Sequence, residues 1–253
     1  MRIASLGSGS RGNATLIEDE DTTILVDLGF SIKETIRRMD RLGRAPDDIA
    51  AILVTHEHAD HIHGVAAFAR KFNTPVYLTP GTYNRKKMGL MPLMKEVNCH
   101  RAFRIGGFKV EPVPVPHDAR EPCQYIVSGH GRKVGVLTDL GHISPYVEQQ
   151  YAACDALLLE CNHDVEMLAN GPYPWALKQR VGGMHGHLSN QQAAGLLSKI
   201  QVERLQHLII CHVSEKNNHP DLALAAVQEP VRNWAGELHV ADQGAGFDWL
   251  EVH

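Results

Sequence analysis

The 253-residue chain contains no uninterrupted apolar run approaching the roughly 18 residues that a membrane span requires. Its start, Met1-Arg2-Ile3-Ala4-Ser5, leads straight into a short strand-like run and Gly7, without the long apolar segment and small-residue cleavage site of a secretory signal. The expected location is therefore the cytoplasm, with no membrane partner. Cysteine is scarce and unpaired in pattern: Cys99, Cys123, Cys154, Cys161 and Cys211 are odd in number, and no two are spaced C-x-x-C. That excludes a disulfide framework and a cysteine-based zinc knuckle, and leaves buried core thiols as the expectation. An overall excess of positive charge is also missing, because the formal net charge is −4. The chain as a whole thus makes no electrostatic case for nucleic acid. No internal repeat, low-complexity tract or linker interrupts it.

Histidine, by contrast, is abundant, with sixteen residues. Neutral imidazoles in such number point towards a metal site. Charge is also unevenly spread. Between Arg70 and Val110 stand nine basic residues and one acid, Glu96, whereas Ile143 to Asn170 carries five acids and no Lys or Arg. The basic stretch, with Arg85-Lys86-Lys87 at its heart, reads equally as a solvated face or as a phosphate-binding patch.

Short β-type runs alternate with helix-type runs throughout, as in Ile3–Leu6, Ala51–Val54, Lys133–Leu137 and His207–Cys211. Helices are expected over Ser31–Leu42, Ile62–Lys71, Ser189–Lys199 and Asp221–Glu229, from apolar residues at three- and four-residue spacing. Ser31 with Glu34 three residues on has the form of a capping box. The pattern gives an α/β fold, two sheets covered by helices, in a single domain over residues 1–253. Gly7-Ser8-Gly9-Ser10-Arg11-Gly12 matches the dinucleotide fingerprint G-x-G-x-x-G, with Asp27 about twenty residues on. That fingerprint must open a helix, and the next segment, Asn13–Ile17, reads as strand. A tight turn between two strands explains the glycines instead.

The apolar strand Ile52-Leu53-Val54-Thr55 ends directly in His56-Glu57-His58-Ala59-Asp60-His61. Ligands at a strand end sit on a loop held by a rigid scaffold. His56 and His58 lie two apart and can share one ion; Asp60 and His61 follow where the chain turns into a helix and can serve a second. The helical H-E-x-x-H motif would need His where Asp60 stands, and the P-C-x-x-C of nucleobase deaminases is absent. Three further polar residues each terminate an apolar run: His117 after Val113–Pro116, Asp139 after Val134–Thr138, and His212 after Leu208–Cys211. Any one alone would be a turn residue more often than a ligand. Together with the first cluster they complete a two-metal set.

H-x-H-x-D-H, then a lone His, a T-D aspartate and a terminal His resembles the metallo-β-lactamase superfamily. The resemblance implies a four-layer αββα sandwich. It also implies that His56, His58 and His117 hold one metal, that Asp60, His61 and His212 hold the other, and that Asp139 bridges them. Diiron relatives carry Glu where His58 stands, so the chain sides with the hydrolases. Two cations about 3.5–4 Å apart would lower the pKa of a bridging water and polarise the scissile group, with Asp60 orienting that water or taking its proton. Zinc and manganese suit the donors, with iron as a further choice.

Finer motifs resemble one bacterial subfamily, the YycJ/WalJ type. They are the glycine-rich start through Asn13, Glu160-Cys161-Asn162-His163-Asp164, Gly186-His187-Leu188-Ser189-Asn190, and His212 through Asn217-Asn218. This resemblance implies a DNA exonuclease acting from 5′ ends. Phosphodiesterases of the superfamily carry a similar G-H-[ST] histidine that assists the leaving group, beside a strand-end Glu. His187 and Glu160 are the matching positions, although Leu188 separates His187 from Ser189. His187 also precedes a helix start, where phosphate binds well. Only twenty-one residues separate His117 from Asp139, which excludes the long arm of the tRNA 3′-processing relatives. The compact layout also fits a thiolester or lactone hydrolase, or less well an RNA-processing nuclease. A decayed, non-catalytic metal-binding regulator would show damaged ligands, yet all seven positions are filled. The residues leave open the metal, DNA against RNA, exo- against endonuclease action, oligomeric state, and the roles of Asn162, His163, Asn217 and Asn218.

Overall fold

The computed structural model describes residues 1–253, and contacts within it group into two compact units. The first comprises Met1–Pro114, Ala119–Arg132 and Ala241–His253; the second comprises Val115–Asp118 and Lys133–Val240.

In the first unit, β1 (Arg2–Gly7), β2 (Ala14–Asp19) and β3 (Thr22–Val26) form an antiparallel meander. β4 (Ile49–Leu53), β5 (Val76–Leu78) and β6 (Met94–Glu96) then add to β3 in parallel. β14 (Phe247–Glu251) closes the other side against β1. Parallel neighbours need crossovers. These are α1 (Ile32–Arg41), the pair α2 (Ala59–Ile62) and α3 (Val65–Phe72), and the short α4 (Arg85–Met88). Strands such as β4, sequence IAAIL, are apolar on both faces because both are covered. Leu16, Leu25, Ile52, Val54, Phe68 and Val76 belong to the resulting buried core. β7 (Phe103–Ile105), β8 (Phe108–Pro114) and β9 (Cys123–Gly129) form an antiparallel run.

The second unit is built on four parallel strands, β10 (Arg132–Leu137), β11 (Ala156–Glu160), β12 (His207–Cys211) and β13 (Glu237–Val240). α5 (Pro145–Tyr151) links the first two. α6 (Val165–Asn170), α7 (Trp175–Val181) and α8 (Asn190–Leu197) lie between β11 and β12, and α9 (Pro220–Gln228) leads to β13. Strands and crossover helices alternate in both units, the α/β class expected. The register Leu137↔Leu159↔Ile210 aligns the carboxyl ends of β10, β11 and β12, so the residues that follow them emerge along one edge.

Two local departures from these expectations have physical causes. The helix expected over residues 62–71 is broken at His63-Gly64, because the Gly64 N–H donates to Leu28 O and a Cβ there would meet Phe30 O at 2.0 Å. Asp60 and His61 thereby occupy their own turn. Ser31 does cap α1 through the Glu34 N–H, but the Glu34 carboxylate turns to Arg37 and Arg38 instead of closing a capping box. A reciprocal box forms at Ser189 and Gln192. The Gly7–Gly12 segment is a strand-to-strand connection, as its rejection as a nucleotide motif required.

Gly29 shows how tightly the first unit is closed around the histidine-rich loop, since a Cβ there would fall 1.9 Å from Asp60 O. Replacing it with Ala must push the Asp60–His61 turn away. Gly29→Ala is expected to destabilise the protein by about 1–3 kcal/mol in urea unfolding, the usual cost of overpacking.

Candidate metal centre

β4 is apolar up to Leu53, and the chain then turns through Val54 and Thr55 into the loop that carries His56 and His58. A single buried carboxylate organises this end. Asp27, directly after β3, accepts the Thr55 N–H at its Oδ1 (2.8 Å) and the Thr55 hydroxyl at its Oδ2 (2.8 Å). The same Oδ2 lies 2.7 Å from His61 Nδ1. Thr55 Oγ1 in turn stands 2.9 Å from His56 Nδ1. With Thr55 donating to Asp27, its oxygen accepts from His56 Nδ1–H. Both imidazoles are thus held as tautomers whose Nε2 carries a lone pair. His56 Nε2 and His58 Nδ1 face each other at 3.0 Å. His61 Nε2 lies 3.4 Å from Asp60 Oδ2 and 3.1 Å from Asn13 Nδ2. Asn13 also gives its backbone N–H to Asp60 O at 2.8 Å, so the glycine-rich connection serves to hold this turn.

The second unit presents a matching set at the aligned ends of β10, β11 and β12. His117 places Nδ1 2.9 Å from Gly186 O, which makes that nitrogen the donor and leaves Nε2 with its lone pair. Nε2 is 4.0 Å from Asp139 Oδ1 and 3.5 Å from Asp118 Oδ1. Burial depresses the His117 pKa against the opposing pull of Asp139, which favours the neutral, ligating form. Asp139 follows β10 and His212 follows β12, both with left-handed φ of 52°. Such backbone costs of order 1–3 kcal/mol in a non-glycine residue, and it clusters at functional sites.

Glu160, fully buried at the end of β11, is the counterpart of Asp27. Its Oε1 lies 2.9 Å from His212 Nδ1 and 2.8 Å from His187 Nδ1, while Oε2 accepts the N–H groups of Leu140 and Leu188. Burial alone would raise its pKa; the charge of His187 and the hydrogen bonds of His187 and His212 outweigh that and hold it at about 2. His187 responds in the opposite sense. Burial lowers its pKa, but the Glu160 charge and hydrogen bond win, and the net shift is upward. His187 Nδ1 is also 3.5 Å from Asp139 Oδ1.

The structure therefore gathers His56, His58, Asp60 and His61 in one unit, and His117, Asp139, Glu160, His187 and His212 in the other. Asp27, Asn13 and Asp118 were not singled out as site residues in the sequence. Asp27 drew notice only as the acid of a dinucleotide motif, although its position at the end of the apolar strand β3 was the usable signal. Asn162 and Asn218 are supports: Asn162 donates to His212 O, and Asn218 to Cys161 O and the Asn190 side chain. All five cysteines are buried and free, and burial pushes the Cys211 thiol well up, so it is inert.

The donor chemistry fits divalent metal. Nitrogens bound at 2.0–2.1 Å in tetrahedral geometry stand about 3.3 Å apart, close to the His56–His58 separation. His56, His61, His117 and His212 each have the second ring nitrogen engaged by a hydroxyl, carboxylate or carbonyl, the arrangement that orients ligating imidazoles. Asp139 Oδ1 lies 3.4 Å from His212 Nδ1 in the same set.

This α/β scaffold with histidines and aspartates at strand ends defines a metal-dependent hydrolase class. The Beta-lactamase superfamily domain matches residues 22–210, and the chain belongs to that family. Exodeoxyribonuclease YycJ of Bacillus anthracis is 34% identical over 233 residues, covering 90% of this chain and 88% of its own. Exodeoxyribonuclease WalJ of Streptococcus pneumoniae is 34% identical over 255 residues, covering 98% and 92%. Among solved structures, the metallo-β-lactamase fold protein YhfI of Bacillus subtilis superposes with a TM-score of 0.73 at 14% identity, covering 99% of each chain. The fold is accordingly of the metallo-β-lactamase type.

Asp27 orients two histidines, His61 directly and His56 through Thr55. Asp27→Asn is expected to weaken metal binding about 10–100-fold, the usual penalty for losing such a partner. Competition against a chromophoric chelator measures it, and unchanged affinity would remove Asp27 from the account.

Proposed function

We propose that the chain is a two-metal phosphodiesterase, a DNA exonuclease acting from 5′ ends. His56, His58 and His117 would hold one ion, Asp60, His61 and His212 the other, and Asp139 would bridge them, with zinc or manganese as the metal. The observation that carries the reading is the His187–Glu160 pair, a histidine whose pKa is raised by a buried carboxylate bonded to its Nδ1. Thiolester hydrolysis has no need of such an acid. The names and extent of the 34%-identical relatives support DNA as substrate, and the 5′ direction comes from resemblance to that subfamily.

Two divalent ions, when bound, polarise the phosphoryl group and lower the pKa of water. The chain's own residues supply the rest. Asp60 Oδ2, held beside His61 and Asn13, is placed to orient the attacking water or take its proton. His187, engaged by Glu160 at Nδ1, has Nε2 left to donate a proton to the leaving oxygen. Glu160 then stays charged and steadies the imidazolium until that proton is passed on.

Charge and shape add support. β4 and β5 run parallel, so Arg85-Lys86-Lys87, reached after β5, follows the same strand ends as His56. Arg120 joins the two loops by bonding both Glu57 Oε1 and Thr82 O, and all three basic side chains of α4 are exposed. This favours a phosphate-binding patch. In the second unit, Trp175 is 75% exposed at a cavity also lined by His163, Leu168 and Lys178, a surface on which a base can stack.

Protein reconstituted with manganese or zinc should release nucleotides from the 5′ end of duplex DNA, with Asp60→Ala reducing the rate about 10²–10⁴-fold. RNA and a thiolester serve as competing substrates; strong thiolester turnover without phosphodiester cleavage would overturn the proposal. His187→Ala should slow DNA cleavage by a similar factor with metal content unchanged. A p-nitrophenyl phosphodiester, whose leaving group needs no proton, should be much less affected. Metal loss in that variant would make His187 a ligand instead of an acid.

A further inference from the structure

β12 carries chemistry at both ends. His212 follows its carboxyl end, while His207 begins it, five residues and about 16 Å of extended chain away. The residues around His207 therefore belong to no part of the centre described above.

In the parallel register, His207 pairs with Glu237 and Ile209 with His239. Side chains alternate along a strand, so Glu237 and His239 project from one face of β13, and His207 joins them from β12. The three side chains converge. His207 Nδ1 lies 3.2 Å from His239 Nε2 and 3.5 Å from Glu237 Oε2, and His239 Nε2 lies 3.3 Å from that same oxygen. The donor atoms thus mark a nearly equilateral triangle.

That triangle has the size of one face of a coordination tetrahedron. An ion bound at 2.0–2.1 Å sets its tetrahedral donors about 3.3–3.4 Å apart. A proton on one of the two facing nitrogens lets it donate to the other at 3.2 Å, but a cation at the centre engages both nitrogens and the carboxylate oxygen together.

We infer that His207, Glu237 and His239 form a further binding site for a borderline divalent transition ion of the zinc, nickel or copper class. Two imidazoles and one carboxylate suit these ions, and they exclude a preference for calcium or magnesium, which take oxygen donors. Glu237 is 66% exposed, so an ion reaches the site from solvent, and a fourth position stays open. The bound ion ties β13, the outermost of the parallel strands, to β12 through side chains as well as backbone. It fastens the edge strand of its sheet.

The test is a count made by difference. Full-length protein is saturated with zinc, desalted, and analysed by plasma mass spectrometry beside His239→Ala and Glu237→Gln. Each variant is expected to hold one zinc fewer per chain than the unsubstituted protein. Zinc added to protein already loaded at its tighter sites should raise the melting temperature of the unsubstituted chain but not of the variants. DNA cleavage should be unchanged in both. Equal zinc content in all three proteins would overturn the inference. So would a loss of one ion accompanied by no difference in the zinc-dependent melting shift, because the ion would then not fasten the strand. Failure of the nuclease proposal would appear as absent cleavage in every sample and would leave the difference in zinc content intact.

Discussion

A buried carboxylate at a strand end is the interaction on which the rest of the structure depends, and the chain uses it twice. Asp27 binds the backbone and hydroxyl of Thr55 and the ring of His61, and through Thr55 it fixes His56. Glu160 does the equivalent for His187 and His212 while taking up the N–H groups of Leu140 and Leu188. A buried charge is costly unless paired and hydrogen-bonded. Each carboxylate here meets that condition with the donors that metal ligation and proton transfer require to be oriented. Stability and site geometry are consequently the same set of bonds.

The strands explain why these bonds form where they do. Parallel strands demand crossovers on one side, so loops at their carboxyl ends are free to carry polar side chains while the strand bodies stay apolar. Thr55–His56 after β4, Asp139 after β10, Glu160 at the end of β11 and His212 after β12 all follow this rule. The left-handed backbone at Asp27, Asp139 and His212 is the local strain that the turn at each strand end imposes.

Much of this was legible in the sequence for the same reason. An apolar run that stops at His or Asp is a visible signal, and it marked His56, His117, Asp139 and His212; His58, Asp60 and His61 came with the same histidine-rich loop, and Glu160 from resemblance to phosphodiesterases of the superfamily. What escaped depended on proximity between distant segments. Asp27 ends an apolar run as the others do, but its partner Thr55 is twenty-eight residues away and nothing in the local pattern joins them. The break at Gly64 follows from contact with Leu28 and Phe30, which a helical periodicity over residues 62–71 does not register. β6 and β7 are three residues each, too short to show alternation, and their strand character comes from pairing with β5 and β8. His207, Glu237 and His239 become neighbours only through the register of β12 on β13.

The central claim is that seven side chains act as ligands to two ions. It is tested most directly by anomalous diffraction from crystals grown with manganese or zinc. The account predicts two strong peaks. One should lie about 2.0–2.2 Å from nitrogens of His56, His58 and His117, and the other should lie equally close to Asp60, His61 and His212, with Asp139 between them. Ions bound elsewhere with this set left empty, or one ion alone at full occupancy, would contradict it.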